Sequence, residues 1–327
     1  MRDKTSTGLE LLTVDDLKVT ETSIIYSEQL SILLYILSNV LFGLNAFQIK
    51  LLSMHYDNFT PNNLLMIRSF GLFLLVFSYY KIKGIELPRL EMLIEHKWIF
   101  SRSLFNYLGF ITWVVGLNYF RFSTMICFSS LSPIFVLIFS IFILKETFRI
   151  RYLIGLVICL LGTILIILND TKSVPTSSTQ EALVNDFKFG LSLGLSHSIL
   201  IALMYIGMKI CINLNIDNDV QIYFLGLTNF FLGIIFMIFL GGLKKAFDIT
   251  LGIIYMTNSI LFYIAIKIQQ LSLKSIDLIK VTTVAYLSTI QAFFLGVLFL
   301  HDIIGVTDII GSLLVLSFNV YNAYYPV

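Results

Sequence analysis

Ten apolar stretches set almost end to end leave this chain of 327 residues little room for anything else. They run over about 31–52, 62–80, 101–120, 122–144, 152–169, 188–211, 220–241, 250–271, 276–300 and 303–325. A helix that crosses a bilayer takes about 20 apolar residues. Phe122 to Leu144 and Val281 to Leu300 contain no charged residue at all. A helix without a polar face is surrounded by lipid or by other helices. The composition agrees, with 57% hydrophobic and 13% charged residues. The expected fold class is therefore an all-α membrane protein with ten transmembrane helices.

Residues 1–30 are polar and rich in acid (Asp3, Glu10, Asp15, Asp16, Glu21, Glu28). They lack the basic start, apolar centre and small-residue cleavage site of a signal peptide, and read as a disordered cytosolic tail. With the N-terminus in the cytosol, loops and tail on that side carry eleven Lys and Arg, against five on the other. Basic residues accumulate on the cytosolic side, so both termini are expected there. The asymmetry comes from the first half of the chain, where Lys81, Lys83, Arg89 and Lys97 sit in a single loop. Two Asn-x-Thr sequons, Asn58-Phe-Thr60 and Asn169-Asp-Thr171, fall on the opposite side.

Self-similarity points to a unit used twice. At an offset of 156 residues, Leu131-Ser132 meets Leu287-Ser288, Glu146 meets Asp302, and Ile154-Gly155 meets Ile310-Gly311. At an offset of 159, Lys50 meets Lys209, each closing a span. A unit with an odd number of spans ends on the far side of the membrane, so a second copy would lie inverted. The expected organisation is two inverted five-helix repeats, 31–169 and 188–327, joined by a polar linker at 170–187.

The stretch Leu131-Ser-Pro133-Ile-Phe-Val-Leu-Ile-Phe-Ser-Ile-Phe-Ile-Leu-Lys145-Glu146, followed by Gly155 and Gly162, resembles the EamA repeat of the drug/metabolite transporter superfamily. Lys50, Arg68 and Arg102 fall where that family carries basic residues. Length and tail are similar to those of the solute-carrier 35 G-like branch. The resemblance implies a secondary transporter or exchanger of a small polar metabolite, working by alternating access. A scaffold or sensor that kept the fold is the competing expectation.

Candidate solute-binding residues are Lys50, Lys209, Arg68, Arg102, Asn106, Tyr107, Ser129, Tyr205, Lys280 and Tyr286. Polar side chains at lipid depth turn inward. For the two lysines, snorkelling to the headgroups is the alternative. Asp277 and Lys280, three residues apart, can neutralise each other. No acid lies deep within a span, which favours exchange or facilitated flux over proton coupling; Asp308 reads as solvated at a span end. Pro133 is expected to kink its helix.

Cys127, Cys159 and Cys211 sit in separate spans and read as small buried hydrophobes. Gly190-Leu-Ser192-Leu-Gly194 has the spacing of a hydrolase elbow, but that elbow needs a strand before the turn. Ser192 and His197, five apart on one helix, point to different faces. The two glycines read instead as a Gly-x-x-x-Gly contact between helices. No motif calls for a metal, nucleotide or prosthetic group, and the chain is not expected to be an enzyme. The expected partners are a small-molecule solute and the lipid bilayer, not nucleic acid; a homodimer is compatible.

Overall fold

A computed structural model describes residues 28–56, 59–145, 157–158, 160–166, 180–239, 249–275, 287–300 and 305–324. Eleven α-helices lie among them: α1 (Glu28–His55), α2 (Pro61–Lys83), α3 (Met92–Glu95), α4 (Lys97–Gly116), α5 (Phe122–Ser129), α6 (Ser132–Phe139), α7 (Gln180–Asn213), α8 (Asn218–Phe239), α9 (Ile249–Leu273), α10 (Leu287–Leu300) and α11 (Val306–Tyr324). Residues 160–166 are also helical. The ends of α2 show how local sequence sets a boundary. Pro61 occupies the first turn, where a missing N–H costs nothing. Gly84, at φ 67°, turns the chain left-handed, and its N–H bonds the carbonyl of Lys81.

This corrects the expectation of ten membrane-crossing helices in two inverted five-helix repeats. Among the described residues, six segments are long and apolar enough to cross: 29–55, 61–83, 122–144, 187–213, 218–239 and 249–273. α4 carries Lys97, Arg102 and Asn106, which lower its mean hydropathy. α3 is a single turn of 4 residues. The segment 122–144 is not one continuous α-helix. It breaks at Ser130-Leu131, restarts with Pro133 in the first turn of α6, and finishes in a π-helical turn, Ser140–Leu144. Pro133 therefore opens a new helix instead of kinking an unbroken one. Most of the stretch 152–169, the tail before Glu28, the Glu146 and Asp302 positions of the repeat, both sequon asparagines and Cys159 lie outside the described residues. The linker placed at 170–187 ends earlier than expected, because α7 begins at Gln180.

Three broad helix pairings build the bundle: α1 on α9, α2 on α8, and α4 on α7. α2 also meets α9, α4 meets α8, and α5 lies between α7 and α10. At the α2–α8 contact, a Cβ on Gly226 would stand 2.8 Å from the backbone nitrogen of Phe73 and 2.9 Å from the carbonyl oxygen of Ser69. Only glycine lets these two backbones approach so closely. Gly190 and Gly194 on α7 make room for rings instead: a Cβ on the first would meet the side chains of Tyr119 and Phe120, and on the second the ring of Phe128. Large apolar side chains such as Phe142, Phe239 and Phe294 point outward, as a lipid-facing surface requires.

A buried arginine at a four-helix junction

Spacing on single helices prepares the interior. Arg102, Asn106 and Phe110 recur every four residues along α4 and so share one face. Gln221 and Asn229 are two such steps apart on α8, and Asn258 and Phe262 one step apart on α9. Arg68 approaches from α2. The four helices bring these polar groups into the bundle.

Arg68 is 2% exposed. Its guanidinium carbon lies 4.4 Å from the ring centroid of Phe110 and 4.2 Å from that of Phe262, so two aromatic rings flank the charge. These cation–π contacts are its attractions among the described residues; the buried Nε has no hydrogen-bond partner, and the described residues supply Arg68 neither a hydrogen bond nor a carboxylate. Arg102, 1% exposed, is treated differently. Its Nη1 donates to Gln221 Oε1 at 2.6 Å. Gln270, with its amide oxygen turned inward as the hydrogen-bond network assigns it, accepts from Nη1 at 3.0 Å and Nη2 at 2.9 Å. Two neutral amides thus hold Arg102 in place.

Around them runs a set of side-chain hydrogen bonds between helices. Asn229 Nδ2 donates to Asn106 Oδ1 at 3.0 Å, tying α8 to α4. The Asn229 and Asn258 side-chain oxygens are buried and unpaired. Tyr107 donates to Asn62 Oδ1 at 2.5 Å, and Asn62 donates to the Gly233 carbonyl at 3.0 Å. Gln269 Nε2 donates to Tyr205 Oη at 3.2 Å. His197 Nδ1 lies 2.7 Å from the Gly109 carbonyl, which can only accept, so the proton sits on Nδ1. Its Nε2 meets Ser129 Oγ at 2.9 Å. Ser192 bonds the Phe189 carbonyl on its own helix and does not meet His197.

The two lysines sit apart from this junction. Lys50 Nζ, from α1, donates to the carbonyl of Leu117 just past α4, at 3.4 Å. Lys209 Nζ, from α7, donates to the carbonyl of Leu273, the last residue of α9, at 3.1 Å. Each amine therefore serves the open, negative end of a neighbouring helix. Lys280 and Tyr286 lie outside the described residues.

Two ion pairs mark opposite ends of the bundle. Lys267 on α9 pairs with Asp219 in the first turn of α8. Arg121, between α4 and α5, faces Asp308 of α11 at 3.7 Å. Asn62 near the start of α2 meets Gly233 near the end of α8, so these two helices run antiparallel and Asp219 lies at the other end of α2. Asp308, expected to be solvated, is fully buried and also accepts from the Gly305 N–H at 2.9 Å.

Phe110, Phe262, Gln221, Gln270 and His197 join the site without having been singled out as solute ligands from sequence. The glutamines carried a signal, being amides in apolar spans. The two phenylalanines carried none among 29. Among the described residues no group of three or more His, Cys, Asp or Glu could hold a metal ion.

Fold and interior together define a multi-pass α-helical membrane protein with a polar, cationic junction inside it. Residues 29–168 match the profile of the EamA-like transporter family. The match spans less than half of the chain, and it records a likeness to that family over residues 29–168. The resemblance carried by Leu131 to Glu146 lies within the matched region. Comparison with curated protein sequences finds no match. A solved structure described only as "Crystal structure of protein" is similar at a TM-score of 0.63 with 14% sequence identity, over 90% of this chain and 98% of that one. At that identity the likeness speaks for the fold alone, and it extends well beyond the matched segment.

Proposed function

We propose that this protein is a secondary transporter or exchanger of a small polar metabolite, with a solute site at the junction of α2, α4, α8 and α9; its length and tail are similar to those of the solute-carrier 35 G-like branch. The observation that carries the reading is Arg68: a guanidinium held in the bundle interior by two rings, with no hydrogen bond from the described residues. Burying an ion costs several kcal/mol, and a fold keeps such a residue when something other than the fold uses it. Asn106 shares a face of α4 with Phe110, Ser129 reaches α4 through His197 and the Gly109 carbonyl, and Arg102 adds a second fixed positive charge. Lys50, Lys209, Tyr107 and Tyr205 support the helices that shape the site.

Two ion pairs support a reading of alternating access. Parting Asp219 from Lys267 loosens α8 from α9 at one end; parting Arg121 from Asp308 loosens α11 at the other. A solute is passed across when one opens while the other holds. The test is uptake of a mixed metabolite pool into proteoliposomes, read by mass spectrometry. Saturable, protein-dependent uptake of a small polar solute is expected; no flux of any solute would favour a scaffold or sensor.

A further inference from the structure

The surroundings of Arg68 say what the solute carries. We infer that the site binds an oxyanion, a carboxylate or a phosphate, which approaches Arg68 in the plane of its guanidinium. With the Phe110 and Phe262 ring centroids 4.4 and 4.2 Å from its central carbon, the guanidinium is flanked by two rings that take none of its N–H donors in a conventional hydrogen bond. Two oxygens held side by side match two such donors, and a fork-to-fork pair of this kind is the strongest contact an arginine makes. A single carbonyl or hydroxyl would fill one donor and leave the charge uncompensated.

The surrounding charges agree. The described residues bury two carboxylates, and each already faces a cation: Asp219 with Lys267, and Asp308 with Arg121. Arg102 is held by glutamine amides, which satisfy its donors without cancelling its charge. Arg68 and Arg102 thus leave the described interior positive. In a low-dielectric interior that charge attracts an anion and repels a cation far more strongly than it would in water. The inference rests on the site proposed above, and needs binding at that site but not transport.

The test uses the purified full chain in detergent at constant ionic strength. Thermal unfolding is followed against rising sodium acetate, inorganic phosphate, acetamide and choline chloride. A ligand that binds the folded state raises its unfolding temperature in a saturable way. Acetate, phosphate or both should do so; acetamide and choline should not. Acetate alone identifies a carboxylate site, and phosphate alone a phosphate site. In Arg68→Gln the half-saturating concentration should rise about tenfold or more, the loss expected for a charge-assisted pair. Arg68→Lys, which keeps the charge without the planar fork, should fall between the two.

No saturable response to either oxyanion, or an equal response in Arg68→Gln, would overturn the inference. Arg68→Gln is usable only if it elutes as a folded monodisperse species; otherwise Arg68→Lys decides by the same criterion. Oxyanion binding without flux in proteoliposomes would remove the transport reading and leave this one. Saturable flux of a neutral or cationic solute, with no oxyanion response, would do the reverse.

Discussion

Replacing Arg68 with Met should make the solute-free protein more stable. Met has a similar length, fits between Phe110 and Phe262, and carries no charge. The arginine is 2% exposed and its Nε has no partner. Keeping the ion out of water costs several kcal/mol, and the orphan donor adds about 1–3 kcal/mol. Against this stand two cation–π contacts, about 2 kcal/mol each when desolvated. Met recovers part of that through sulfur–aromatic contacts of about 0.3–1.5 kcal/mol. The balance favours the variant by about 1–4 kcal/mol, the range seen when buried ionic groups give way to apolar ones. The assay is the fraction of protein remaining monodisperse after heating in detergent without added solute, wild type beside variant. A midpoint several degrees higher for Arg68→Met is expected. A lower midpoint would mean that Arg68 is fully compensated in the native fold, and the reasoning from its burial would fail.

Four other outcomes follow from the same geometry. Gly226→Ala should destabilise by about 1–3 kcal/mol, read in the same heating assay, because the new methyl meets backbone atoms of α2 that cannot swing aside. Lys50→Met and Lys209→Met should each cost about 0.3–2 kcal/mol through the lost helix-end contact; no change in stability for either would return the lysines to snorkelling. Lys267→Met leaves the buried Asp219 without its cation and should cost about 1–3 kcal/mol, with Asp219→Asn in the same background restoring part of the loss. The distribution of basic residues predicts both ends in the cytosol, so tags at either terminus should resist protease in sealed right-side-out vesicles; digestion of the N-terminal tag would reverse the orientation.

The sequence was most legible where one strong physical rule acts alone. Apolar length located α1, α2, α7, α8 and α9 to within a few residues at most ends, though α7 begins earlier than expected. Cost at lipid depth singled out Arg68 and Arg102, both buried in the bundle. Where two rules compete, reading the sequence went astray. Hydropathy runs straight through 122–144, yet a proline that is awkward in mid-helix is comfortable in a first turn, so the segment breaks before Pro133. α4 looked like any other span until Lys97, Arg102 and Asn106 were weighed against its apolar residues. The partners of a residue were hardest of all. Nothing in a row of phenylalanines marks Phe110 and Phe262 as the two that meet Arg68, because that pairing depends on how α4 and α9 pack beside α2. Asp308 was misplaced for the same reason: nearness to a span end suggests water, but Arg121 arrives from another segment to bury it.

The measurement that bears most directly on the central claim is two-sided access to the junction. Asn106 lies one turn from Phe110 on the face of α4 that meets Arg68. In protein with its three native cysteines replaced by alanine, Asn106→Cys is reconstituted in sealed vesicles and exposed to a membrane-impermeant thiol reagent from one side at a time. A transporter that opens the site alternately gives labelling from both sides, slowed by whichever of acetate or phosphate stabilises the protein. Labelling from one side only, or from neither, would contradict the account.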